Sequence, residues 1–199
     1  MYWNSYYGGY GLPVEARACI SERELQLRQT MRRLWEDHSA WTRMTIISIV
    51  SGLPDEAVVT KRLLRNPIDM ANALQPFYGQ AFAARFGQLM TEHLTIAAQL
   101  VKAAKAGKKE EAAKLEKDWY HNADQIAALL AQVNPYFNEQ DWRRMLHEHL
   151  RLVKEEAVLR LTGDYVKDIA NYDVIVKQAL EMADSMSAGI LMQFPHVFR

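Results

Sequence analysis

Three histidines in this chain recur at one distance from a glycine. His38, His93 and His149 stand 14 residues before Gly52, Gly107 and Gly163, and each follows an acid: Asp37, Glu92 or Glu148. A carboxamide lies beyond each glycine, with Asn66, Asn122 and Gln178 placed 28, 29 and 29 residues after the corresponding histidines. Imidazole changes charge near neutral pH and is the commonest nitrogen ligand of metal ions. A carboxamide donates and accepts at once. The candidate chemistry is therefore metal ligation by His38, His93 and His149, or capture of a small polar ligand with Asn66, Asn122 and Gln178.

Carboxylates lie close in sequence. Asp69 and Glu181 fall three residues after amide positions, one helical turn along, and would complete a ligand set suited to a divalent transition metal. Arg43 lies near His38 and is a candidate for an anionic ligand group. The di-iron signature Glu-x-x-His is absent, and His147 and His149 are too close in sequence to share a helix face. Convergence on one ion requires the three histidine-bearing helices to form an inner trio. If they alternate around a ring, the layer is a hydrogen-bonded register device instead.

The elements that carry these residues are helices. Leu27, Met31, Leu34, His38, Trp41 and Thr45 follow three- and four-residue steps, the stripe of an amphipathic helix that stops at Gly52. Further helical stretches run from Asp55 to about Leu74, Ala81 to Ala106, Lys109 to Gln132, Glu139 to Leu161 and Tyr165 to Met192. Gln75–Gly79 interrupts the second and third. No alternating strand pattern occurs. Asn66-Pro67-Ile68-Asp69 reads as a helix start with Asn66 as its N-cap.

A shift of 56 residues brings two parts of the chain into register. Glu92-His93-Leu94 falls on Glu148-His149-Leu150, Gly107 on Gly163, Asn66 on Asn122 and Ala71 on Ala127. A third copy places Gln178 and Ala183 in the amide and alanine slots. The expected fold is all-α, a six-helix bundle of three tandem hairpins. Equal rising and returning legs of about 21 Å put the three imidazoles and three amides at one level.

These polar residues lie on apolar stripes. His93 sits between Phe86, Met90, Ala97 and Leu100, and His149 among Trp142, Leu146, Val153 and Ala157. A buried polar group without a partner costs about 1–3 kcal/mol, so the layer is expected to satisfy itself. Lys102, Lys105, Lys108 and Lys109 surround the end of the third helix and read as a solvated terminus, where cations are favourable.

Composition narrows the classes. The 199 residues are 49% hydrophobic and 24% charged, with 24 basic against 24 acidic side chains and a pI near 7.0, so no basic field draws nucleic acid. Cys19 is the one cysteine, which excludes an internal disulfide. No apolar run reaches a membrane span and no secretory leader is evident, so the expectation is a cytoplasmic protein. Residues 1–20, rich in Tyr and Gly, read as an N-terminal tail able to support self-association, and 21–199 as a single helical domain. Phosphate-binding Gly loops and a Gly-x-Ser-x-Gly elbow are absent.

The segments Leu34–Arg43, Glu92–Ala98, Trp119–Ala127 and Gln193-Phe194-Pro195 resemble a family of small, largely uncharacterised bacterial helical proteins. The resemblance covers about residues 27–199. Members sometimes carry an acetylglutamate kinase label, but the βα core and glycine-rich loops such a kinase needs are missing. The resemblance implies an all-helical fold and brings no catalytic residues. The expected function is non-enzymatic: binding of a metal ion or small polar ligand at the layer. The alternative is a structural or interaction module whose layer sets helix register.

Overall fold

The computed structural model describes residues 20–199. The tail, Cys19 and the expected self-association lie outside them, apart from Ile20. The described chain is helical: α1 (Glu22–Ser51), α2 (Glu56–Leu63), α3 (Asn66–Lys105), α4 (Lys109–Val133), α5 (Glu139–Thr162) and α6 (Tyr165–Gln193), then a 3-10 turn at Pro195–Phe198. Five helices are long and α2 is short. No strand occurs among the described residues.

Local chemistry explains the ends. Ser21 accepts from the Glu24 amide at 3.2 Å, and Glu22 and Glu24 favour the positive end of α1. Gly52, Gly107 and Gly163 have φ of 66°, 71° and 77°, a left-handed conformation that closes a helix without a Cβ penalty. The hydrogen bonding matches at all three. Leu53, Lys108 and Asp164 donate to the carbonyls of Ser48, Ala103 and Leu159, five residues back. Lys105 Nζ donates to the Ile49 carbonyl at 2.7 Å, so the ends of α1 and α3 lie together.

Two boundaries differ from expectation. Helical structure runs through Pro76, and the break falls at Gly79, with φ 80° and ψ 171°. A Cβ added to Gly87 would lie 3.2 Å from Ala71 Cβ and 3.7 Å from the Pro67 carbonyl oxygen. Residues 71 and 87 are equidistant from Gly79, so the two limbs of α3 fold back against each other. The other difference is Asn66. It is the first residue of α3, not its N-cap; Arg65 holds that position with no side-chain capping bond.

One apolar core unites the long helices, from Leu34 and Trp35 on α1 through Phe86 and Leu89, Trp119 and Ile126, Leu146 and Leu150, to Met182 and Ile190 on α6. Among the described residues no helix is long and apolar enough to cross a membrane.

Candidate functional site

The imidazoles and amides meet in pairs inside this core. His38 Nδ1 lies 3.2 Å from Asn66 Oδ1, His93 Nδ1 2.8 Å from Asn122 Oδ1, and His149 Nδ1 2.9 Å from Gln178 Oε1. The amide nitrogens donate to the carbonyls of Leu34, Leu89 and Met145, at 2.9, 3.0 and 2.9 Å. Each accepting carbonyl is four residues before its histidine, one helical turn back. Asn66 therefore takes part in the layer rather than in capping.

The network assigns the tautomer. A backbone carbonyl only accepts, so the amide nitrogen must face it and the amide oxygen must face the ring. Nδ1 then carries the proton and donates, and Nε2 keeps its lone pair. All three imidazoles are buried. Burial, with His149 and then His93 nearby, pushes His38 down to about 3 despite the opposing Asn66 hydrogen bond. Burial holds His93 at about 4, against its bond to Asn122, and lowers His149, against its bond to Gln178. At neutral pH the layer is uncharged.

Two of the histidine rings lie side by side, but the carboxylates do not join them. The His38 and His149 rings have centroids 5.5 Å apart, and His93 rests 5.3 Å from the Trp119 ring. Asp69 pairs with Arg65 at 3.0 Å, and Glu181 is exposed near Lys177. Among the described residues no group of three or more His, Cys, Asp or Glu side chains is placed to hold a metal ion. Arg43 also turns elsewhere. It donates to Glu156 at 2.6 Å and to both Asp168 oxygens at 3.0 and 2.8 Å, beneath the Tyr172 ring. Arg160 reaches Asp168 at 3.3 Å. Burial pushes Glu156 up to about 7, while Arg43 pulls the other way.

A cavity of about 400 Å³ lies between α1, α3, α4 and α5, on the side of the layer toward the glycine stops. Its inner wall includes Thr42, Ala97 and Val153, each four residues after a layer histidine. The wall is mostly aliphatic and extends to the α3–α4 turn at Gly107, Lys108 and Lys109. Two of the lining residues carry a fully buried donor with no partner in the protein, Thr42 Oγ1 and Trp119 Nε1. Volume, apolar walls and a few polar groups are the attributes of small-molecule sites.

Sequence reasoning did not anticipate the cavity or the Glu156–Asp168 cluster. Its signal was present as paired alanines, Ala97-Ala98, Ala103-Ala104 and Ala112-Ala113, which leave space where larger side chains would fill it. Glu156 carried a signal too, since it falls seven residues after His149 and beside Ala157. Comparison with protein-family models, curated proteins and solved structures finds no match in any of the three.

Proposed function

We propose that this chain is a non-enzymatic binding protein that takes a small, largely apolar molecule into the cavity above the histidine layer. The observation that carries this reading is a cavity of about 400 Å³ lined mostly by aliphatic side chains of α1, α3, α4 and α5. An apolar body displaces poorly hydrated space there. The His38, His93 and His149 layer with its amides acts as a rigid floor and fixes register. We also read the chain as three tandem hairpins in a six-helix arrangement. Support comes from three matching His–amide–carbonyl connections and three matching glycine stops.

Decanol, a neutral single-chain compound with an acceptor, tests the reading. It should raise the thermal midpoint of the full chain by a few degrees, because ligand bound to the native state alone stabilises it. Ala157→Phe, which fills the cavity, should remove that rise while the helical circular dichroism persists. A midpoint unmoved by decanol in the unaltered protein would sink the proposal.

A further inference from the structure

We propose that Gly79 is a hinge through which two copies of this chain exchange α1, α2 and the first limb of α3, forming a two-fold dimer.

The break in α3 is one residue wide. Helical structure runs from Asn66 up to Gly79 and on from it to Lys105, and Gly79 alone has non-helical angles, φ 80° and ψ 171°. That conformation is open essentially to glycine alone. The reversal is exposed from Gly79 to Ala81, and a Cβ on Gly79 would meet nothing within 4 Å. No contact at Gly79 itself imposes the turn. Among the described residues no side chain caps the two helix ends that meet there. Returning Gly79 to helical angles brings no steric strain, and it restores backbone hydrogen bonds that the reversal interrupts. α3 then becomes one straight helix of 40 residues, about 60 Å long.

The folded-back register is already that of a two-fold pair. Ala71 and Gly87, equidistant from Gly79, approach so closely that a Cβ on Gly87 would lie 3.2 Å from the Ala71 Cβ. With two copies opened, Ala71 of each meets Gly87 of the other, and the same contact closes twice. The remaining uncovered faces fit this sequence and no other. On opening, His38 loses His149, whose ring centroid lies 5.5 Å away, and Arg43 loses Glu156 and Asp168. Buried carboxylates without their cation are costly, so opening without a partner is disfavoured. A second copy supplies the same groups in the same places. The cavity is then shared: Thr42, Ile46 and Ile49 come from one copy, and Leu94, Ala97 and Val153 from the other.

The full chain and its Gly79→Ala variant are refolded from urea at low and at high protein concentration and sized by sedimentation. Alanine does not hold the turn, so the variant should sediment as a dimer, twice the 22.9 kDa of one chain. The unaltered chain should do so only after refolding at high concentration. A cross-link tells exchange from simple association. Arg32 and Asp184 pair at 2.6 Å across the two exchanging parts. With Arg32→Cys and Asp184→Cys, and Cys19→Ser removing the native thiol, a short bis-maleimide should join chain to chain in the dimer and close within one chain in the monomer. A folded, monomeric Gly79→Ala chain overturns the proposal. So does a dimer joined only within its chains, or an unaltered chain that stays monomeric after refolding at high concentration. If the variant does not fold, the unaltered chain decides by the same two readouts.

Discussion

The Nδ1 proton of His93 is donated to Asn122 Oδ1 across 2.8 Å, and only one tautomer of the ring permits it. The Asn122 nitrogen is already committed to the Leu89 carbonyl, so the amide cannot turn over. His38 with Asn66 and His149 with Gln178 repeat the relationship. The result is three neutral imidazoles with one fixed orientation each.

Nitrogen-15 NMR of labelled histidine should therefore show the Nδ1-protonated tautomer for His38, His93 and His149 at pH 7. The exposed His196 provides the contrast of a ring outside the layer. Substitution of Asn122 by Leu orphans both the His93 donor and the extra bond to Leu89. Chemical denaturation should register a loss of about 1–3 kcal/mol.

Acid should destabilise the fold early. Each layer histidine has a native pKa below the unfolded value, so the unfolded chain binds more protons as pH falls past about 6.5. Their contribution is fully present above 6.5 and declines toward about 4 for His93 and about 3 for His38. The expected slope is about 1.4 kcal/mol per pH unit for each histidine well inside that window. Glu156 opposes one of the three, since its native value near 7 makes the folded state bind the extra proton from there down to the usual carboxylate range. Urea midpoints at pH 7 and pH 5 measure the net loss, and a midpoint higher at pH 5 would contradict it.

Arg43 neutralises buried charge. Glu156 and Asp168 are 1% and 0% exposed, and both depend on its guanidinium. Arg43→Met should cost about 3–5 kcal/mol, the typical effect of stripping a buried pair of one partner. Adding Glu156→Gln should return part of that, as a double-mutant cycle would show.

Gly189 allows Phe137 to lie against α6. A Cβ at this position would overlap the edge of the Phe137 ring. Gly189→Ala should destabilise by about 1–3 kcal/mol or more through overpacking, and Phe137→Leu in the same chain should relieve much of the penalty. Stability of the three variants by chemical denaturation decides the point.

Much of this molecule follows from local chemistry. Helix stops at Gly52, Gly107 and Gly163 follow from backbone sterics, and the stripes through His38, His93 and His149 follow from helical period, so both are legible residue by residue. The pairing of each histidine with an amide about 28 residues on was legible too, because two legs of equal length return to the same height. Tertiary structure decided the rest. Asn66 looked like a cap because a local motif permits it, but across the hairpin a buried imidazole and a carbonyl compete for the same amide and win it. Arg43 looked free for a ligand until α5 and α6 brought Glu156 and Asp168 to it from residues 113 and 125 positions away. The cavity belongs to no single segment. It exists because small side chains on four helices face one another, and that space forms only when the helices pack.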